Sequence, residues 1–396
     1  MASARSIKQF SQTILVFAAA LSCSWHGGLA SAGEAPVPLH VATFDSGFGG
    51  YLTAKSIERE ASPLLREYAA DITVHHYGDT RNLPYGEKSP EQIAALGSAG
   101  VLTALREGAD IVFIACNTAS TQYERIRQAV DAAYPGEMKP VVSIIDVSTQ
   151  EARQRIDSAL ATRKSALFVI LATPATVRSM VYPRKLAALY GTALVEKPPQ
   201  TYTQPRWYST SGATVQSLIQ KSVITLPEGR RIDIYQLAPA NWVEMIEHGA
   251  DIKVKHDAVR RDLALLRAAL PPGAAPDVVG YFCTHYPILD GMIRAEMTAD
   301  TASPNATSYI AQGQLMATIF KRMAVERLRG HERTIPSSDD EFARLQEHAR
   351  ATITISGSNG ETTRELARTL FPADPPPRIT EENMGDLSAI TSGARH

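Results

Sequence analysis

The stretch Asp110-Ile111-Val112-Phe113-Ile114-Ala115-Cys116-Asn117-Thr118 decides the fold. Ile111 to Ala115 is apolar without alternation and rich in β-branched and aromatic residues, so it reads as a strand covered on both faces. Polar residues follow at once, and helical sequence continues to about Ala133. The same strand–turn–helix unit recurs. Leu39–Phe44 leads into Asp45-Ser46-Gly47-Phe48-Gly49-Gly50 and a helical pattern over Leu52–Glu60. Asp71–Tyr77 precedes a helix over Ser89–Arg106, with Ser89 as N-cap and Pro90 at its first turn. Val141–Ile145, Ser165–Leu171, Ala193–Glu196, Ile232–Gln236, Asp277–Phe282 and Thr352–Ile355 are further strands. The breaker clusters Lys197–Thr210, Pro271–Pro276, Thr334–Asp340 and Ala373–Pro377 read as loops. Alternating strands and helices with continuous apolar strands predict an α/β fold with parallel sheets.

Composition narrows the function classes. The chain has 396 residues, 44% apolar and 20% charged, with a formal net charge of −1. That balance argues against disorder, and the lack of a Lys/Arg tract argues against nucleic acid as a partner. At about 150 residues per domain, two domains are expected. The N-terminus has secretory-leader features: Arg5 and Lys8, the apolar run Ile14–Leu21, and Ala30-Ser31-Ala32 before Gly33. A signal peptide over 1–32 and a periplasmic or secreted destination are therefore expected. Lipoprotein anchoring at Cys23 is the weaker match. The apolar run is too short to span a bilayer, which takes about 20 residues, so no transmembrane span is expected. Asn305-Ala306-Thr307 fits a glycosylation acceptor, a pattern common by chance, and receives no function.

Three cysteines exclude a disulfide scaffold, and no CxxC or HExxH motif suggests a metal, so no metal is expected. Cys116 and Cys283 share one context, because Val278-Val279-Gly280-Tyr281-Phe282 runs into Cys283-Thr284-His285 as Ile111–Ala115 runs into Cys116. The carboxyl ends of parallel strands form a ligand crevice, and a following helix N-terminus favours a thiolate. Three readings stay open from the residues alone: two buried structural thiols, a disulfide between them, or two reactive thiols at a site. The turn after Asp45 lacks the G-x-G-x-x-G spacing, since position 52 is Leu52, but its backbone N–H groups can face an anion. His75 and His76 read as core or edge residues of a strand, and Glu247 as a solvated helix residue.

Together these motifs resemble the cofactor-independent glutamate racemases of the aspartate/glutamate racemase superfamily, in order and over nearly the whole chain after the leader. Phe44–Gly50 is similar to the opening motif. Tyr77-Gly78-Asp79-Thr80 with Leu83-Pro84-Tyr85-Gly86-Glu87-Lys88-Ser89 is similar to the substrate loop. Ala115–Ser120 and Cys283-Thr284-His285-Tyr286-Pro287 are similar to the two catalytic cysteine motifs, and Ala172-Thr173 through Arg178, Ser179 and Tyr182 also resembles a family stretch. The histidine at 285 favours the glutamate branch.

The resemblance implies two Rossmann-like lobes with parallel-sheet cores and the active site between them. It places lobe one at 38–144 plus 306–396 and lobe two at 145–305. It implies an amino-acid substrate, no cofactor, a link to D-amino acids and peptidoglycan, and a homodimer as a possible assembly. Cys116 and Cys283 would exchange the Cα proton, with Asp45 assisting Cys116, and His285 and Glu247 assisting Cys283. Ser46, Pro84, Tyr85, Gly86, Asn117, Thr118, Thr176 and Thr284 would hold the substrate. Leu237–Trp242 departs from the Cys-Pro run usual before the glutamate, and 190–235 and 290–350 are longer than the family core. Two alternatives are a non-catalytic bilobal periplasmic amino-acid-binding protein on this fold and a racemase for another amino acid such as aspartate. A third is an enzyme silenced while its two cysteines are bridged.

Overall fold

The computed structural model describes residues 37–382 apart from 69, 208–209, 299–306, 330–338 and 358–359. The expected leader with Cys23, the acceptor Asn305 and the expected lobe boundary at 305/306 lie outside the described residues. Among the described residues thirteen strands are formed: β1 Pro38–Asp45, β2 Asp71–Gly78, β3 Ile111–Ile114, β4 Val141–Ser143, β5 Ser165–Ala172, β6 Leu194–Glu196, β7 Gln200–Pro205, β8 Thr214–Thr225, β9 Arg231–Ala238, β10 Val278–Phe282, β11 Ser308–Ala311, β12 Thr352–Ile355 and β13 Ile379–Glu381. They make two sheets. The first has the order β13-β12-β2-β1-β3-β4 and is parallel throughout. The second has the order β11-β10-β5-β9-β8-β6, with β7 also paired to β8.

The continuous apolar strands behave as their sequence predicts, since every residue of β3 and β10 is buried. Ser89 caps the helix Pro90–Arg106 in a reciprocal box with Gln92, as its sequence signals. One apolar cluster joins Val41 and Ile57 in the first lobe to Phe320, Ile144, Phe168 and Phe282, so the two lobes share a core.

Three features differ from the sequence reading. Lys197–Thr210, read as a loop for its prolines, contains β7. Its Pro205 ends an edge strand, where no second ladder partner needs the missing N–H. With β6 and β8 it adds an antiparallel extension to an otherwise parallel second sheet. Ser308–Ala311, placed by the expected division in lobe one, pairs with β10 of the second sheet, whereas β12 and β13 extend the first sheet from β2. The helix after Cys116 is broken into Asn117–Ser120 and Tyr123–Ala133. At the break the Thr121 hydroxyl takes the Thr118 carbonyl at 2.7 Å, a helical acceptor, while Ser120 donates to the Ile114 carbonyl of β3 at 3.2 Å.

Candidate active site

In the first sheet the chain runs from β1 to β2 on one side and to β3 on the other, which opens a crevice at the carboxyl ends. Asp45 ends β1. Cys116 follows β3, and its backbone N–H donates to the Phe44 carbonyl at 3.3 Å, which sets the thiol beside Asp45. Cys283 follows β10 of the other sheet. A cleft of about 480 Å³, counting its open mouth, lies between them. Asp45, Ser46, Pro84, Tyr85, Gly86, Cys116, Asn117, Thr118, Cys283, Thr284 and His285 all line it. Thr176 and Glu247 stand one layer behind, bonded to residues that do.

Both thiols are free and buried, so the disulfide left open by the sequence is not formed. Cys116 caps the short helix after it, accepting from the Ala119 N–H at 3.4 Å and donating to Ser46 Oγ at 3.6 Å. The sequence reading expected that helix end to lower its pKa. The structure corrects this: burial first, and then the Asp45 carboxylate, push the Cys116 thiol well up, and the Ala119 N–H offsets only part. A four-residue helix offers little dipole against full burial.

Asp45 is fully buried. Its Oδ2 accepts from Thr284 Oγ1 at 2.9 Å, and its Oδ1 accepts from Ser46 Oγ and the Gly47 N–H, both at 3.3 Å. Burial raises its pKa from 3.8 to about 6, against the opposing pull of His285. The carboxyl therefore changes form near neutral pH, where an acid/base group is most useful.

On the opposite side His285 Nδ1 is 3.7 Å from Cys283 Sγ, and Nε2 is 2.5 Å from Glu247 Oε1. A proton on Nε2 shared with Glu247 leaves Nδ1 to take one from the thiol. Burial works against the charged imidazole, but its bonds to Cys283 and Glu247 outweigh that and raise its pKa. Glu247 is thus a buried member of the site, not the solvated residue its helix suggested. It ends the helix Trp242–Glu247 and accepts from the Phe48 N–H at 2.6 Å. The glycine-rich turn does face an anion, and that anion is this carboxylate. A Cβ at Gly47 would lie 2.2 Å from Glu247 Oε1, and one at Gly49 2.5 Å from Thr284 Oγ1, so close approach requires glycine at both. His76 is buried behind the turn, bonded to Thr43 and the Gly47 carbonyl, and burial lowers its pKa to about 3.

The polar wall contains residues that the sequence reading missed. Thr118 Oγ1 is 2.7 Å from Thr173 Oγ1, which is 2.9 Å from Thr176 Oγ1. Thr173 lines the cleft and caps the helix Pro174–Ser179. Its place after β5 matches that of Cys116 after β3 and could have marked it. Asn117 is held from behind: its Nδ2 donates to Gln312 Oε1 at 2.7 Å, and its Oδ1 accepts from Gln312 Nε2 and the Tyr182 hydroxyl. Nothing local in the sequence marks Gln312. Tyr85 donates to Asp79 Oδ2 at 2.6 Å, which anchors the loop at the cleft. No group of three or more potential metal-ligating residues occurs among the described residues.

The model of the Asp/Glu/Hydantoin racemase family matches residues 52–205. A glutamate racemase of Deinococcus radiodurans is 28% identical over 270 residues, covering 67% of this chain and 71% of its own. Among solved structures, the glutamate racemase of Francisella tularensis in complex with D-glutamate superposes with a TM-score of 0.56 at 16% identity, covering 87% of this chain and 98% of that one. The Escherichia coli glutamate racemase in complex with L-glutamate and the activator UDP-MurNAc-ala gives 0.52 at 22% identity, covering 87% and 98%. At these identities the structures bear on the fold.

Proposed function

We propose, from the match of residues 52–205 to the Asp/Glu/Hydantoin racemase family and the likeness to glutamate racemases, that this chain is an exported glutamate racemase working with two thiols and no cofactor. The observation that carries the reading is the pair of free cysteines on the two walls of one cleft, each with its own proton-handling partner. Racemisation removes the Cα proton from one face and returns a proton to the other, which two opposed acid/base groups accomplish. The Cys283 thiolate, paired with the His285 imidazolium that Glu247 supports, takes the proton from L-glutamate, and Cys116 delivers its own to the opposite face. For D-glutamate the roles reverse. Asp45 reaches Cys116 through the Ser46 hydroxyl and receives the proton when that thiol must become a thiolate.

The Thr118 and Thr173 hydroxyls, backed by Thr176, supply donors for the substrate's carboxylates and for the charge that develops as Cα loses its proton. Residues 1–32 carry the features of a secretory leader, which supports action on D-amino acids outside the inner membrane, in the chemistry of peptidoglycan.

The test is to incubate the enzyme with L-glutamate in heavy water. Deuterium should enter Cα with loss of optical rotation, and Cys116→Ser or Cys283→Ser should each abolish racemisation. Full racemisation by either single variant refutes the two-thiol mechanism. Tight glutamate binding without exchange favours the binding-protein alternative, and exchange confined to aspartate transfers the reading to that substrate.

A further inference from the structure

The antiparallel extension of the second sheet ends beside the cleft. At the end of β7, the Arg206 N–H donates to the Ala213 carbonyl at 2.9 Å, which fixes where its side chain begins. Its guanidinium then makes two ion pairs. Nη2 grips both oxygens of Glu87 at 2.6 and 2.7 Å, and Nη1 donates to Glu244 Oε1 at 2.5 Å. Glu87 closes the turn Tyr85–Glu87 of the first lobe and lines the cleft. Glu244 lies on the second-lobe helix that ends in Glu247. One arginine, itself only 18% exposed, thus joins the substrate loop across the cleft to the element that supports His285.

The same segment braces that helix by bonds independent of the charge. Asn241, its N-cap, donates to the Pro205 carbonyl at 3.1 Å and accepts from the Trp207 N–H at 3.3 Å. A planar fork with donors on two edges suits two carboxylates in different directions, which a lysine ammonium on a flexible stem does not reproduce.

We propose that Arg206 is a positioning residue that latches the two lobes over the substrate, holding Pro84–Glu87 through Glu87 and the Glu247 helix through Glu244. The surface part of such a pair is weak when two flexible side chains meet in water, but here one carboxylate is buried and Nη2 holds the other through both of its oxygens. Opening the latch frees Pro84–Glu87 from the Glu247 helix at the cleft mouth and admits solvent to both thiols. The effect on catalysis rests on the racemase reading; the opening does not.

The experiment uses the full chain with Cys23→Ser, so that only the two cleft thiols remain, and follows their modification by a disulfide-exchange reagent in the folded protein. Arg206→Ala and Glu87→Ala should each speed labelling by about tenfold, the double variant should be no faster than the faster single one, and Arg206→Lys should fall between. With glutamate, Glu87→Ala should raise KM more than it lowers kcat. Glu87 is 40% exposed, so its variant keeps the test open if Arg206→Ala does not fold. Labelling within twofold of the parent in Glu87→Ala, or single effects that multiply in the double variant, overturns the latch. Faster labelling in a protein that racemises nothing leaves the latch standing and removes the racemase reading.

Discussion

Replacing Asp45 by asparagine keeps the shape of the side chain and removes its titration. The pKa of Asp45 rises from 3.8 to about 6, chiefly through burial. A folded-state value raised above the unfolded one leaves stability fully present below pH about 4, lost as pH rises through about 6. Above that range the folded protein holds a carboxylate that its surroundings penalise by about 3 kcal/mol, from roughly 2 pKa units at about 1.4 kcal/mol each. Asparagine carries no such penalty at any pH. The stability of Asp45→Asn minus that of the parent should therefore grow by about 2.4 kcal/mol between pH 4 and pH 7.5, whatever constant offset its altered hydrogen bonds to Thr284 and Gly47 introduce. Urea unfolding of both proteins across that range measures the difference, and titrating groups that do not interact with Asp45 cancel in the subtraction. A difference that stays flat, or that falls as pH rises, refutes burial as the dominant influence on Asp45. The same tuning matters for turnover, because a carboxyl held near 6 can take a proton from the Cys116 side and release it at neutral pH.

Gly47→Ala would put a Cβ 2.2 Å from Glu247 Oε1 and 2.6 Å from Leu83 Cδ1, so the Glu247 carboxylate must leave the Phe48 N–H. Kinetics and a thermal melt should show kcat down by about a hundredfold and stability down by about 1–3 kcal/mol; a near-normal kcat would mean that the turn does not position Glu247. Glu247→Gln takes away the carboxylate charge that helps to raise the His285 pKa. The imidazole should then titrate at lower pH by NMR, and the stability that its charged form provides should be lost at lower pH as well, since a raised histidine stabilises below its unfolded value and ceases to do so above its folded one. An unchanged imidazole titration would assign its elevation to Cys283 alone.

Much of the architecture and most of the candidate site's lining were legible in the chain. Ile111–Ala115 and Val278–Phe282 are short, β-branched and apolar on both faces, which only a parallel strand covered by helices accommodates. Since ligand crevices form at the ends of such strands, the residues that follow them, Cys116 and Cys283, were visible as a pair. The proposal of a leader likewise rests on sequence alone, on a positive start, an apolar run and small residues before Gly33. These features are local, and period, composition and order suffice to read them.

What folding decided is everything that needs two distant segments at one point. Whether the thiols are bridged, whether burial or a helix end governs the pKa of Cys116, and which anion the Gly47 turn faces all depend on the second lobe closing over the first. Glu247 reads as a surface residue on its six-residue helix, and it becomes part of the site because Phe48, 199 positions earlier, donates to it. Gln312 holds Asn117 across 195 positions, and Arg206 reaches Glu87 across 119, with no local pattern to announce either. Hydrogen bonds and desolvation act over a few ångströms of space, so their partners and their effect on a proton emerge only when the chain has brought them together.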